Sequence, residues 1–243
     1  SKGLDAGIQD VVAGPAGLLA YANFFGQDFA GNRIWRSEDG RTWKPVPLPR
    51  TDAWPFGGLA ATADGYLLMN GDSPAYWRSD DGLAWTPVED APWFADAAAS
   101  ADGTIVGIGV ADIWATTDLA TWEQVWVSPT ADDGEQGPLW VTWDGERFAS
   151  TSIVGYEECL DGDGLCPIVP LLTSDDGYTW TESTGPDGVP GPDRETSIHD
   201  IASLGDTTVA IGRAADGRVL AWLVDPPAGR ATGVNDETPE PTY

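Results

Sequence analysis

The sequence has few cationic side chains. Its 243 residues include 12 Lys plus Arg against 39 Asp plus Glu, so the formal net charge is −27. Such a chain repels a phosphate backbone, and the composition therefore argues against nucleic acid as a partner. A solvated acidic surface accounts for the charge, with calcium or a cationic partner as the alternative.

Sulfur and imidazole are also scarce, with two Cys, one Met and one His. Cys159 and Cys166 flank a Gly-rich loop, which predicts a local disulfide in an oxidising compartment. Two free thiols or a soft-metal pair are the alternatives, although no His or further Cys stands nearby in the sequence. We expect no cofactor, with a bound calcium or other hard cation as the alternative.

The sequence lacks a long apolar run, a signal-peptide pattern and long amphipathic helical segments. These absences argue against a membrane span and favour a mature secreted or cell-envelope domain. The 30 Gly and 19 Pro are spread along the chain, which favours many short strands joined by tight turns. The sequence therefore predicts an all-β fold.

One eight-residue segment ending in Trp recurs with blade-sized spacing. Its copies occupy residues 36–43, 78–85, 115–122 and 173–180, and the longest interval contains the cysteine loop. A short Asp carboxylate accepts N–H bonds within its own turn, and Gly takes a positive φ there. Each copy is thus predicted to close a hairpin.

The pattern Ser/Thr-x-Asp-x-Gly-x-Thr-Trp resembles the Asp-box, or bacterial neuraminidase repeat, of sialidases, sortilin-like receptors and some photosystem assembly factors. The consensus Asp position holds Glu38, Asp80, Thr117 and Asp175, and the third copy departs most because Leu119 replaces Gly. The resemblance implies that all these acids and Trp residues are structural, and that the Trp residues are buried between blades. The structural set is Glu38, Asp39, Trp43, Asp80, Asp81, Trp85, Asp118, Trp122, Asp175, Asp176 and Trp180.

The same resemblance implies a β-propeller of about five four-stranded blades, with an incomplete six-bladed sialidase-like propeller as the alternative. We expect a single domain over residues 1–225 and a polar, Pro-containing tail over 226–243. The expected blades span residues 8–47, 56–89, 94–128, 138–184 and 197–225.

Ligand sites of the resembled family use the face opposite the Asp-boxes, where the chain's longest irregular segments are predicted. Aligning the inner hairpins places Asp10, Asp96 and Asp200 in one column, with Gly58 and Pro138 in the other two blades. These carboxylates either hold a cation or polar ligand, or accept backbone bonds at strand starts. The remaining candidate binding residues are Trp54, Trp93, Tyr156, Glu157, Arg194 and His199.

The sequence does not contain the full catalytic pattern of a sialidase. The family uses an arginine triad, a Tyr activated by Glu, and an Asp acid/base, and the Arg-Ile-Pro motif that normally precedes its first Asp-box is missing here. Adjacent Tyr156 and Glu157 point to opposite sides of an extended segment. We expect a non-catalytic propeller that binds a protein or glycan partner, with a sialidase-like glycoside hydrolase or glycan-binding protein as the alternative.

Overall fold

The described part of the chain is built from β-strands joined by turns. The computed structural model describes residues 5–26, 29–48, 58–69, 76–88, 91–129, 137–152, 155–158, 165–168, 171–183, 197–204, 207–213 and 219–224. No helix occurs in those ranges, so none of them holds a helix long and apolar enough to span a bilayer. The all-β prediction is confirmed.

The first three blades each consist of four antiparallel strands in sequence order. Their strands are β1 (Asp5–Gly14), β2 (Gly17–Gly26), β3 (Phe29–Ser37) and β4 (Lys44–Val46); β5 (Gly58–Thr62), β6 (Gly65–Met69), β7 (Tyr76–Ser79) and β8 (Thr86–Val88); and β9 (Asp96–Ala99), β10 (Ile105–Ile108), β11 (Asp112–Thr116) and β12 (Glu123–Val127).

The fourth blade carries an inserted hairpin, and the fifth sheet has three described strands. The fourth comprises β13 (Pro138–Trp143), β14 (Phe148–Ser152), β17 (Leu171–Ser174) and β18 (Thr181–Ser183), and β15 (Gly155–Glu158) pairs with β16 (Leu165–Ile168) as a separate hairpin. The fifth sheet comprises β19 (Ser197–Leu204), β20 (Thr207–Arg213) and β21 (Val219–Val224).

The sheets form a β-propeller whose first strands are innermost. Strand β1 contacts β5, β5 contacts β9, β9 contacts β13, and β13 contacts β19. We label the strands of each blade A to D from the inside outward. The A–B and C–D turns lie at one end of the sheets, here called the turn face, and the D–A and B–C connections lie at the other, here called the loop face.

The hydrophobic core is divided among the spaces between consecutive blades. Leu19 and Tyr21 of blade one pack with Leu59 and Leu68 of blade two, and equivalent clusters join blades two and three and blades three and four. The A and B strands therefore contribute apolar side chains to both faces of a sheet, unlike strands with one solvated face.

The four predicted interblade Trp residues are half-buried, which is less burial than expected. Trp85, Trp122 and Trp180 each pack against the cluster that joins their own blade to the preceding one. Trp43 is also half-buried but packs against none of the clusters found among the described residues. Trp143 packs against Phe148 with ring centroids 4.6 Å apart.

Candidate functional site

Four C–D turns share one hydrogen-bond pattern, and we call them the aspartate turns. Their aspartates are Asp39, Asp81, Asp118 and Asp176. In each, Oδ1 accepts the N–H groups two and three residues later at 2.7 to 3.1 Å. A Ser or Thr hydroxyl two residues before the Asp accepts the N–H three residues after itself at 2.8 to 3.1 Å.

The turn-forming acid is the residue after the predicted consensus position. Glu38 and Asp80 instead form exposed ion pairs with Arg36 and Arg78, both at 3.1 Å, and Asp175 is exposed. The predicted alignment of the acid was therefore wrong by one residue, because Ser37, Ser79, Thr116 and Ser174, and not the residues before them, supply the hydroxyl.

The third copy forms the same turn despite its divergent sequence. Asp118 and Thr116 supply the acceptors, and Leu119 takes the positive φ of 62° where the other copies have Gly. A non-glycine residue in the left-handed region is strained, so the hydrogen bonds of this turn hold Leu119 against its own preference.

Backbone donors keep the turn carboxylates ionised. The N–H of Thr42 and then that of Arg41 lower the pKa of Asp39 below 3.8, and the pKa values of Asp81, Asp118 and Asp176 are lowered by the equivalent bonds. A carboxyl group whose pKa is lowered in this way is a poor proton donor near neutral pH. The aspartate turns therefore stabilise hairpins and are unsuited to acid catalysis.

Two of the three column aspartates join neighbouring blades, Asp10 from the middle of β1 and Asp96 from the start of β9, whereas both were expected at strand starts. Asp10 Oδ2 accepts the Leu59 N–H at 2.9 Å, and Asp96 Oδ2 accepts the Val141 N–H at 2.9 Å. Each bond runs from one blade to the next, so the carboxylates act as interblade clasps. Asp96 Oδ1 also accepts the Ala97 N–H at 2.9 Å.

The fourth-blade member of the column is Trp140, not Pro138 as predicted. A register shift between Pro138 and Trp140 moves Trp140 opposite Thr151, the place that Gly58 takes opposite Met69. Asp200 lies opposite Ile211 and keeps its predicted position in the column, and His199 falls in the register shift between Ile198 and Asp200. The side chains of His199 and Asp200 lie outside what the structure describes.

Apolar side chains are exposed along the loop face of blade three. Trp93 is 41% exposed just before β9, Val110 is 62% exposed in the B–C turn, and Val127 is 48% exposed at the end of β12. The turn is held by the Gly109 N–H to Asp112 O bond of 2.9 Å, and the Ser128 N–H donates to Ala111 O at 2.8 Å. Trp93 was predicted as a binding residue, whereas the two valines were missed.

Several predicted site residues fall outside the described part of the chain. Trp54, Cys159 and Arg194 are among them, so their positions and the disulfide remain predictions. Tyr156, Glu157 and Glu158 lie on β15, where Tyr156 is opposite Pro167 and Glu157 is opposite Cys166. Tyr156 and Glu157 are consecutive on this strand, and the expectation that their side chains point to opposite sides stays a prediction.

Two cavities open on the turn face between blades two and three. The larger, about 630 Å³, is lined by Arg78, Asp80, Asp81, Asp118 and Leu119 among others. The smaller, about 300 Å³, shares Arg78 and Asp118 and adds Asp64 and Asp102. The sequence did not indicate these cavities because they form only where two turns meet. Among the described residues, no three His, Cys, Asp or Glu side chains are placed to hold a metal ion.

Comparison with known proteins identifies fold relatives only, since no family model and no curated protein matches the chain. The β-propeller domain of the Trilobed protease from Pyrococcus furiosus, with an open velcro topology, has a TM-score of 0.55 at 10% identity over 93% of this chain and 71% of that one. YCF48 bound to D1 peptide has a TM-score of 0.40 at 15% identity, and the match covers 90% of this chain and 79% of that one. A glycosyl hydrolase from Bacteroides ovatus has a TM-score of 0.44 at 11% identity, and the match covers 96% of this chain and 87% of that one. At such identities the likeness shows the β-propeller fold alone.

Proposed function

We propose that this protein is a non-catalytic binding propeller of the Asp-box type that works outside the cytoplasm and holds a protein or glycan partner on its loop face. The observation that supports this proposal most is that the acidic side chains of the inner strands make structural hydrogen bonds while apolar side chains on the loop face are exposed. Asp10 and Asp96 on the inner strands accept N–H groups of the next blade, whereas Trp93, Val110 and Val127 are exposed on the loop face.

A binding patch needs apolar anchors on a rigid support. An aromatic side chain supplies a large contact area at a low cost in conformational entropy, and such residues dominate measured binding energies. Trp93 directly precedes Phe94, which is 1% exposed and packs in the core between blades two and three. The backbone that carries the exposed Trp93 ring is therefore anchored on the core.

Hydrolysis of a glycoside needs a carboxylic acid that can donate a proton and a second carboxylate at a defined separation. The four turn carboxylates have lowered pKa values, and the Asp10 and Asp96 carboxylates accept bonds from neighbouring strands. This arrangement favours the binding proposal over a sialidase-like hydrolase.

The proposal is tested by changing one exposed apolar side chain on each face. Binding of the full chain would be screened on an array of sialylated and neutral glycans and on a displayed peptide library, and each hit measured by calorimetry. Trp93→Ala should weaken a genuine hit at least about 30-fold, since a hot-spot aromatic is worth roughly 2 kcal/mol.

The matched control is Leu83→Ala, because Leu83 is 48% exposed on the turn face. We expect Leu83→Ala and Asp80→Asn to bind as the parent does, and Trp54→Ala to weaken binding together with Trp93→Ala. If Leu83→Ala or Asp80→Asn abolished binding while Trp93→Ala did not, the partner would use the turn face and the proposal would be wrong.

A further inference from the structure

The first blade presents to solvent a face that the next three blades bury against a neighbour. Val11, Leu59, Ala97 and Val141 occupy one register position, directly after the column residue of each inner strand. Leu59, Ala97 and Val141 are 2%, 8% and 7% exposed, whereas Val11 is 51% exposed. Ile8 on the same strand is 70% exposed.

The glycines of the aspartate turns show the same difference. A Cβ added to Gly82 would lie 2.9 Å from Leu19 of blade one, and one added to Gly177 would lie 2.9 Å from Thr104 of blade three. Both glycines are buried against the preceding blade. Gly40 is exposed, and its Cβ would meet only Leu18 of its own blade, at 3.4 Å.

Trp43 completes this surface, which we call the leading face of blade one and define as Val11, Gly40 and Trp43. Its equivalents Trp85, Trp122 and Trp180 pack against interblade clusters, and Trp43 packs against none of those described. Strand β1 and the C–D turn of blade one therefore both carry residues whose equivalents in the next three blades contact the preceding blade. An exposed face built from interior-type residues commonly marks an interaction site.

The fifth sheet carries the complementary face. Leu19, Leu67, Val106 and Ala149 share one position in the B strands and are 0%, 3%, 0% and 2% exposed. The first three pack with residues of the following blade. Val209 takes this position in β20 and is only half-buried. Asp200 stands in register with Asp10 and Asp96, whose carboxylates clasp the next blade.

We propose that the fifth sheet, β19–β21, docks against the leading face of blade one and closes a five-bladed ring in solution. Val209 packs on the Gly40 turn as Leu19 packs on Gly82. The Asp200 carboxylate accepts the Val11 N–H, as Asp10 accepts the Leu59 N–H. The contact continues an interface that the chain already forms between its other blades, and closure brings all three column aspartates around one channel mouth.

Thermal unfolding of the full chain tests this contact with one substitution on the leading face. Val11→Asp places a charge in the proposed interface and should lower the midpoint by about 4–8 °C, because a charge buried without a partner is strongly destabilising. In an open ring Val11 is half-exposed and the same change should cost little. The control is Val110→Asp on the loop face, which should shift the midpoint by less than about 2 °C in either case.

Amide hydrogen exchange tests the clasp itself. Asp200→Ala should speed exchange of the Val11 N–H at least tenfold and leave exchange of the Leu59 N–H unchanged. Asp96→Ala is the positive control, because it should speed exchange of the Val141 N–H, which donates to Asp96. Equal effects of Val11→Asp and Val110→Asp, or free exchange of the Val11 N–H in the parent protein, would overturn the proposal. Protection of Val11 that rises with protein concentration would assign the face to a second copy and would equally overturn it.

Discussion

At the scale of single residues, the aspartate turns show how much a repeat reveals about its own chemistry. Three copies contain two adjacent acids, and from these the motif alone does not identify the acid that accepts the backbone N–H groups. The third copy, Thr116-Thr117-Asp118, has only one acid and places it in the second position. A Ser or Thr two residues earlier occurs in all four copies, so these two signals together were sufficient to find the turn-forming Asp.

Asp176 and Asp175 provide a matched pair of adjacent acids in one turn. Asp176→Ala removes the acceptor of the Tyr178 and Thr179 N–H groups and should cost about 1 kcal/mol, comparable to the loss of a helix N-cap. Asp175→Ala should change the free energy of unfolding by less than about 0.5 kcal/mol, since Asp175 is exposed. Denaturant unfolding of both variants measures the difference, and equal losses would contradict the assignment of Asp176.

The stabilisation by Asp176 depends on pH in a defined way. The pKa of Asp176 is lowered in the folded protein, chiefly by the Thr179 N–H, from an ordinary value of 3.8. Its contribution is therefore complete above the unfolded-state pKa and is lost as the pH falls through the lower folded-state value. The stability gap between parent and Asp176→Ala should be constant above about pH 5 and should narrow below about pH 4.

At the scale of strands and turns, the sequence predicted the blade order and the approximate strand positions, because Gly and Pro mark the turns and a Trp ends each copy of the repeat. It did not predict the register shift at Pro138 and Trp140, since one extra residue in a strand leaves no mark in a hydrophobic pattern. The column was therefore right for Asp10 and Asp96 and wrong for blade four. The exposed Val110 and Val127 were missed because a single Val in or beside a predicted strand is usually assigned to the hydrophobic core.

Two buried tyrosines differ in whether their hydroxyl joins neighbouring elements. Tyr66 of blade two donates to Gly17 O at 2.8 Å and accepts the Ala16 N–H at 3.1 Å, tying itself to the A–B turn of blade one. The Tyr76 hydroxyl is equally buried but has no hydrogen-bond partner within the described part of the chain, and Phe94 stacks on its ring at 5.8 Å.

Removing one oxygen atom from each tyrosine separates these roles. Tyr66→Phe should destabilise the protein by about 1 kcal/mol, because it removes two hydrogen bonds to partly buried backbone groups of blade one. Tyr76→Phe should be neutral or slightly stabilising, since no bond is lost and an unpaired polar atom leaves the core. Calorimetric unfolding of the two variants decides between them, and a larger loss for Tyr76→Phe would contradict this account of the interface between blades one and two.

At the scale of the whole molecule, the sheets form a propeller whose aspartate turns stabilise the turn face. The Asp10 and Asp96 carboxylates join neighbouring blades, and apolar side chains of blade three are exposed on the loop face. The net charge of −27 keeps such a surface soluble and repels polyanions. The exposed row from Trp93 to Val127 crosses blade three from its A strand to its D strand, a width of about 14 Å at an ordinary strand spacing. Under the proposed function, the partner segment bound there would be a short peptide or an oligosaccharide chain of that width.

The central claim, that the propeller binds and does not hydrolyse, is tested most directly by a turnover assay of the full chain on fluorogenic sialosides and neutral glycosides. The account predicts product formation no faster than in buffer alone at every pH between about 4 and 8, because the carboxylates of the aspartate turns and of Asp10 and Asp96 accept backbone N–H groups. Turnover that saturates with substrate and is abolished by Arg194→Ala or Tyr156→Phe would contradict the claim and make the protein a glycoside hydrolase.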